Sequence, residues 1–249
     1  MNVQAAQAAQ LGLLETANGD HAAWRVRASQ RARRLTVRVF PGGGVEIVVP
    51  QGTGPRAVEL FVARYRQWIE RKVEQYRPLQ AATGTGLPVE IRFQASGACW
   101  RVEYVEAQAA PRLVVDGDRL LLIGDLSRVA LLRHALQRFT LRHAHSILVP
   151  QLERLAAECG LSYTRAQIRR QRTRWGSCSR RGTISLNACL VFQPAAVVRY
   201  LLLHELAHTR HMNHSRRFWA LVERLEPRWR ELDAQLTRGW REVPAWVLH

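Results

Sequence analysis

Lysine is nearly absent from the sequence, since Lys72 is the only one and all other basic residues in the Lys/Arg count are arginines. Acidic residues are also few, 20 against 37 basic ones, and the formal net charge is +17. A field of that sign attracts polyanions, so nucleic acid is a candidate partner. No run of about 18 uncharged apolar residues occurs, which argues against a membrane-spanning helix. The four cysteines contain no CxxC pair, which argues against a disulfide framework or a cysteine zinc finger.

The first 20 residues, MNVQAAQAAQLGLLETANGD, lack the positive start and the solid apolar core of a signal peptide. We therefore expect a disordered leader over residues 1–20 and a cytoplasmic protein with free thiols. The remaining chain is long enough to bury a normal core, and 47% of all residues are hydrophobic.

Residues 21–125 are predicted to form a β-rich domain with one long helix. Alternating apolar residues over 24–49 indicate strand–turn–strand structure, and apolar residues at helical spacing over 57–76 indicate the helix. Two hairpins are expected to turn near residues 96–97 and 116–117. These strands, together with the helices that follow them, predict an α+β fold.

Residues 126–240 are predicted to form a helical domain with a small sheet, followed by a tail over 241–249. The first helix should end at Gly160, and Pro150 should kink or divide it. Three short strands are expected after it, near 166–170, 173–177 and 183–186.

The stretch LLLHELAHTRHMNHS, residues 201–215, holds four histidines and one glutamate. It belongs to a predicted helix that begins at Pro194, a residue favoured in the first helical turn. His204 and His208 are four residues apart, so they lie one turn apart on one face and can bind the same metal ion. Glu205 comes near that ion without necessarily binding it. A zinc hydrolase needs this arrangement, because the carboxylate takes a proton as zinc-bound water attacks a carbonyl.

The third metal ligand has three candidates. His211 lies on the same helical stripe, but in a continuous helix it would stand about 10.5 Å along the axis from His204. His214 can swing back toward the metal if the helix ends first, and Asn213 tolerates the left-handed conformation of such a break. Glu223 on the next helix would serve as in zincins whose third ligand is acidic. We favour His214.

The next helix is predicted to begin after Ser215, which fits as its N-cap. Its apolar residues from Phe218 to Leu236 are spaced alternately by four and three positions. We therefore expect one amphipathic helix that starts after Ser215. The turn before this helix would allow His214 to approach the metal.

Longer runs of the sequence resemble a known family. The segments TRWGSCSRRGTISLN, HELAH and NHSRRFW together resemble the YgjP-type, SprT-like zinc metallopeptidases, whose fold is a minimal zincin. The segments RASQRARRLTVRVF and FVARYRQWIERK are similar to that family's N-terminal β-region and helix, so the resemblance spans roughly residues 24–237. It implies that His204, His208 and His214 hold one Zn²⁺ ion and that Glu205 is the general base.

The TRWGSC and ISLN segments have two interpretations. In one, they form a strand that borders the active-site cleft and pairs with extended substrate, which Arg174 or Trp175 then contacts. In the other, Trp175 packs on the metal helix, while Gly176 and Asn187 serve backbone geometry. Tyr200, one turn before the first histidine ligand, is either a donor to the oxyanion or a packed tyrosine.

The basic run TRAQIRRQRTRWGSCSRR, residues 164–181, has seven arginines and no acidic residue. It is either a phosphate-binding segment, by analogy with related SprT-like proteases that act near DNA, or a solvated strand edge beside the cleft. Cys178 within it is expected to be a packed or idle thiol, because histidines supply the ligands.

These features predict a single-zinc metallopeptidase that cleaves peptide or protein substrates. The main alternative is a basic nucleic-acid-binding protein with a structural zinc. A structural site is usually closed by four protein ligands, so the number of ligands separates the two. A DNA-associated protease and a zinc hydrolase acting on a non-peptide amide are further alternatives.

Overall fold

The computed structural model of the chain describes residues 24–76 and 86–248. The leader predicted over residues 1–20 lies outside the described residues. The chain divides into two compact units, with the boundary between Pro78 and Leu79. The domains predicted over 21–125 and 126–240 stay a prediction.

The first unit is a three-stranded sheet with one helix. Strand β1 is parallel to β3, and β2 pairs with β3 on its other side in antiparallel fashion. Ile47 and Val49 of the sheet pack on Val58 and Val62 of the helix, which explains the period-2 and helical patterns of the sequence. The elements are β1 (Trp24–Ser29), β2 (Thr36–Val39), β3 (Val45–Pro50) and α1 (Pro55–Gln75).

The second unit begins with a four-stranded sheet in the order β4-β5-β7-β6. Both predicted hairpins are confirmed, and their turns use Gly97 and Gly117 at φ 71° and 60°. Phe93 of this sheet packs edge-on against Phe192, 5.2 Å between ring centroids, and joins the sheet to the helical part of the unit. The strands are β4 (Glu90–Phe93), β5 (Ala98–Glu106), β6 (Arg112–Asp116) and β7 (Arg119–Gly124).

Helix α2, Val129–Glu158, contains Pro150 and is not divided there. Of the two outcomes predicted at Pro150, a kink or a division, the division is therefore wrong and the kink stays a prediction. Leu148 and Leu152 on either side of the proline are both fully buried. Their burial stabilises the helix enough to offset the single hydrogen bond that proline removes. The helix ends as predicted at Gly160, whose φ is 61°.

A small sheet in the order β8-β10-β9 follows α2. Its strands are β8 (Arg165–Arg169), β9 (Gly176–Cys178) and β10 (Thr183–Asn187). Three strands were predicted, but β9 begins three residues later than expected. The cause is Asn187, a fully buried side chain whose amide donates to the carbonyls of Gln171 and Arg174, 2.7 Å each. These bonds hold residues 171–174 as an irregular segment.

The remaining elements are helical. Helix α3 ends at Ala207, before the break predicted at Asn213. The helix predicted after Ser215 is divided at Pro227, because the residue before a proline avoids helical geometry and Glu226 is extended at φ −145° and ψ 91°. The helices are α3 (Ala195–Ala207), α4 (Arg216–Leu225), α5 (Trp229–Arg238) and α6 (Ala245–Leu248), with 3-10 turns at Ala188–Phe192 and Gly239–Glu242.

The segment predicted as a tail, from residue 241 onward, is packed into the second unit as far as it is described. Trp246 and Val247 are buried. Gln137 Nε2 donates to the Trp246 carbonyl, and Arg170 donates to the Val247 carbonyl, both at 3.0 Å. Among the described residues, no helix is long and apolar enough to cross a membrane.

Candidate metal centre

Three histidines converge where α3 ends. His204 lies in the last turn of α3, His208 is the residue that caps the helix, and His214 lies in the turn before α4. Their potential ligand atoms all lie within 4.8 Å of one another. His204 Nε2 and His214 Nε2 are 3.2 Å apart. His208 is buried and His214 is exposed, so the cluster is supported on one side and open to solvent on the other.

The turn that brings His214 back depends on both flanking helices. Because α3 stops at Ala207, the chain has seven residues from His208 to His214 in which to reverse. Ser215 then caps α4, and its hydroxyl accepts from Phe218 N at 3.5 Å. The Phe218 ring packs against all three histidine rings, with centroid distances of 5.0, 4.4 and 4.8 Å to His204, His208 and His214.

The other two ligand candidates lie outside this cluster. The side chain of His211 is not part of it, but its backbone carbonyl lies 3.1 Å from His208 Nδ1. Such a bond leaves His208 Nε2 unprotonated and available to a metal. Glu223 is exposed and accepts from Arg230 Nη1 at 2.7 Å.

Glu205 is directed away from solvent, with 4% of its surface exposed. Its Oε2 is buried without a hydrogen-bond partner among the described residues. Burial raises the pKa of this carboxyl to about 8, and the charge of Arg174 acts in the opposite direction. A buried, unpartnered carboxylate oxygen is costly unless something else satisfies it, such as a water held by a metal ion.

Strand β9 closes in on the Glu205 side chain through Gly176. A β-carbon at Gly176 would meet Glu205 Oε1 at 2.5 Å, so only glycine leaves room for the carboxylate. In one of the two interpretations of the TRWGSC segment, Gly176 serves backbone geometry; in the structure, the close approach that requires this glycine is to Glu205. Nothing in the sequence indicated this contact, since it joins a strand to a helix 29 residues later.

The predicted substrate-binding residues lie in three different settings. Trp175 is 8% exposed and stacks on Trp240 with ring centroids 4.0 Å apart. It is therefore a packed side chain, but its stacking partner lies in the 3-10 turn Gly239–Glu242 and not on the metal helix, as the packing interpretation expected. Tyr200 is fully buried, and its hydroxyl donates to Asp233 Oδ1 at 2.8 Å, so its proton is already committed. Arg174 is exposed and acts on Glu205 through its charge. Of the three, Arg174 has the exposure that a substrate contact needs.

Cys178 has a thiol that favours its neutral form. Burial, and then the charge of Glu205, raise its pKa to about 11. A neutral thiol is a poor nucleophile and a poor metal ligand, in agreement with the idle thiol expected from the sequence.

All seven arginines of the basic run at 164–181 are exposed. Arg170 is nevertheless held in place, since its Nη1 donates to Gln137 Oε1 at 2.7 Å. Arg169 donates to Gln167 Oε1. The run is therefore a charged surface, part of which is tied to neighbouring side chains.

The donor set fits a divalent transition metal. Three imidazole nitrogens at this separation can share one ion, and imidazole suits Zn²⁺ well. No fourth side chain joins the cluster within residues 24–76 and 86–248. The residues present therefore form a set of three protein ligands, the number that catalytic zinc sites usually have, whereas structural sites usually have four.

Comparison with known proteins agrees with this pattern. The model of the YgjP-like metallopeptidase domain matches residues 33–239, and the chain belongs to that family. Membership places the protein among metal-dependent peptidases and implies a bound metal. No curated protein matches the chain.

Two solved structures are similar to part of the chain. The metallopeptidase zymogen abylysin of Pyrococcus abyssi is 27% identical with a TM-score of 0.34, over 36% of this chain and 90% of abylysin. The metallopeptidase zymogen jannalysin of Methanocaldococcus jannaschii is 18% identical with a TM-score of 0.33, over 36% of this chain and 92% of jannalysin.

Proposed function

We propose that the protein is a zinc-dependent peptidase that hydrolyses peptide bonds with Glu205 as general base. The observation that supports this most is the position of Glu205. Glu205 directly follows His204, one of three histidines whose ligand atoms lie within 4.8 Å of one another, and its buried Oε2 has no hydrogen-bond partner among the described residues.

His204, His208 and His214 would hold the zinc ion. When bound, zinc lowers the pKa of a coordinated water toward 7 and polarises a substrate carbonyl. The contribution of the histidines is to present neutral nitrogens. Burial lowers the pKa of His204 to about 3 and lowers that of His208, so both stay neutral and free to bind metal at physiological pH.

Glu205 would receive the proton of the attacking water and pass it to the leaving amine. Its burial raises the pKa of the carboxyl to about 8. A general base works best when its pKa lies near the pH at which the enzyme operates. The charge of Arg174 acts against this shift and favours the ionised carboxylate. Gly176 and the surrounding helix hold the carboxylate in one position, so little reorganisation is needed when the proton moves.

A peptide or protein substrate would lie along β9. This strand is at the edge of its sheet, paired with β10 on one side only, and Gly176 at its start touches Glu205. An extended peptide can add to such an edge through main-chain hydrogen bonds. His214 and Arg174 are both exposed to solvent.

A second candidate is a nucleic-acid-binding protein with a structural zinc, favoured by the seven exposed arginines of residues 164–181. A DNA-associated peptidase would combine both functions. Hydrolysis of a non-peptide amide would use the same metal site. The three-histidine set favours an enzyme over the structural-zinc candidate, because a structural site is closed by a fourth protein ligand.

Metal-dependent proteolysis tests the proposal. Purified protein is stripped with a chelator, incubated with reduced, unfolded casein, and reloaded with zinc, with and without duplex DNA. We expect cleavage products after zinc is restored and none before. Stoichiometric zinc with no products in either condition, together with tight DNA binding, would favour the structural-zinc candidate instead.

A further inference from the structure

His204 has a hydrogen-bonding side that faces away from the other metal-ligand candidates. Its Nε2 points toward His214 Nε2, 3.2 Å away, whereas its Nδ1 lies 3.4 Å from the hydroxyl of Tyr200. That hydroxyl donates in turn to Oδ1 of Asp233 at 2.8 Å. Three side chains on α3 and α5 therefore form one chain of contacts that leads from the metal cluster to the neighbouring helix.

The direction of these hydrogen bonds follows from proton counting. A tyrosine hydroxyl has one proton, and Tyr200 gives it to Asp233, which offers an acceptor oxygen. Toward His204 the Tyr200 oxygen can then only accept, so His204 Nδ1 must carry the proton. The Nε2 lone pair is thereby left for the metal.

Burial keeps the hydroxyl of Tyr200 protonated. Tyr200 is fully buried, and burial followed by the bond to Asp233 raises the pKa of its hydroxyl well above the ordinary value. At neutral pH the hydroxyl is therefore protonated and can donate to Asp233. Asp233 is half-buried on α5, a helix that packs on α3 because Pro227 separates it from α4.

We propose that Tyr200 and Asp233 are positioning residues for His204, which fix its tautomer and ring orientation for metal binding. The proposal rests on the proposed metal site. Neither residue is one of the three proposed ligands, and Tyr200 is fully buried, so Tyr200 has a role different from the oxyanion donor considered from the sequence. His208 is oriented in the same way by the backbone carbonyl of His211, which lies 3.1 Å from its Nδ1. Substitution of the His211 side chain leaves this carbonyl in place.

The test uses full-length Tyr200→Phe, Asp233→Ala and Asp233→Asn proteins. Zinc affinity is measured by competition with a chelator of known affinity. Loss of a group that orients a histidine ligand weakens metal binding by roughly 10–100-fold, and we expect Tyr200→Phe and Asp233→Ala to fall in that range. Asp233→Asn keeps an acceptor oxygen and should recover part of the affinity.

Tyr104→Phe is the matched control. The Tyr104 hydroxyl donates to the carbonyl of Pro88, so this change also deletes one tyrosine hydrogen bond in the same unit. It should leave zinc affinity unchanged. A second readout is the ¹⁵N shift of the His204 ring in metal-free protein, which reports the tautomer. The wild type should show a protonated Nδ1, and Tyr200→Phe should show a mixture of tautomers.

The proposal is overturned if Tyr200→Phe keeps wild-type zinc affinity and the wild-type tautomer, or if Tyr104→Phe loses as much zinc. If Tyr200→Phe does not fold, the two Asp233 variants decide. The proposal is then overturned if Asp233→Ala and Asp233→Asn both bind zinc with wild-type affinity. Peptide cleavage is scored separately, on the zinc-loaded wild type. Cleavage by the wild type with unchanged zinc binding in the variants rejects the positioning role alone. Weakened zinc binding in the variants, together with no cleavage by the zinc-loaded wild type, rejects the peptidase alone.

Discussion

A β-carbon added to Gly176 would lie 2.5 Å from Oε1 of Glu205 and 2.9 Å from its Cδ and Cγ. Strand β9 and helix α3 therefore approach each other at the one side chain that the proposed chemistry needs most. Because Glu205 is buried on its remaining sides, a displaced carboxylate has little free space to occupy. The glycine determines where the proposed general base sits.

Gly176→Ala should lower catalysis much more than it lowers zinc binding. The added methyl group forces the Glu205 carboxylate from its position, and a shift of about 1 Å at a catalytic group can cost roughly 100-fold in rate. The measurements are kcat on a peptide substrate and zinc content by mass spectrometry. We expect kcat to fall by about that factor while zinc content stays near one per chain.

Gly54→Ala is the matched control for this variant. Gly54 has an ordinary negative φ, −70°, and an added β-carbon there meets nothing within 4 Å. The same chemical change should leave both kcat and zinc content at wild-type values. Unchanged activity of Gly176→Ala would show that Glu205 can move without loss, and would contradict its assignment as a fixed general base.

His214→Ala should lose zinc, and His211→Ala should keep it. His214 offers its Nε2 to the cluster, whereas His211 serves through a backbone carbonyl that an alanine also has. Removing a ligand should weaken zinc binding by more than the roughly 10–100-fold caused by loss of an orienting group. Zinc stoichiometry after dialysis distinguishes the two variants. Equal losses, or a loss confined to His211→Ala, would overturn the proposed ligand set.

The stability of metal-free protein should depend on pH through Glu205. Burial raises the folded-state pKa of this carboxyl from 4.5 to about 8. A raised folded pKa means that the folded state holds the proton more tightly, so this contribution to stability is complete below pH 4.5 and is lost as the pH rises through 8. The free energy of unfolding of the wild type, relative to Glu205→Gln, should therefore fall between about pH 5 and about pH 9.

Denaturant unfolding of the two metal-free proteins at both pH values checks this expectation. Zinc provides the control, because its positive charge stabilises the ionised carboxylate and should remove the difference. A constant difference between wild type and Glu205→Gln across the range would mean that the carboxyl is not desolvated in the folded state.

The sequence predicted the local elements of this site well. The spacing of His204 and His208 on one helical face follows from helix geometry alone. The choice of His214 required only that the helix end before this residue. The helix ends at Ala207, earlier than the break predicted at Asn213. A helix end is hard to locate from sequence here, because no glycine or proline marks it.

The contacts between distant elements could not be predicted. Asp233, which contacts Tyr200, lies on a helix that begins after Pro227, whereas the apolar spacing across that proline predicted one continuous helix. Gly176 meets Glu205 across a strand–helix interface that leaves no periodic signal. Pro150 is the opposite case, since the helix is undivided at a proline where local propensity predicted a kink or a division, and the neighbouring Leu148 and Leu152 are fully buried.

The most direct test of the central claim is mass-spectrometric profiling of new peptide termini produced from a proteome-derived peptide library by zinc-loaded wild type and by zinc-loaded Glu205→Gln. The wild type should generate a reproducible set of cleavages, and the variant should generate none while it retains zinc. Cleavage by both proteins at the same sites, or by neither, would contradict the assignment of this centre as a Glu205-dependent peptidase site.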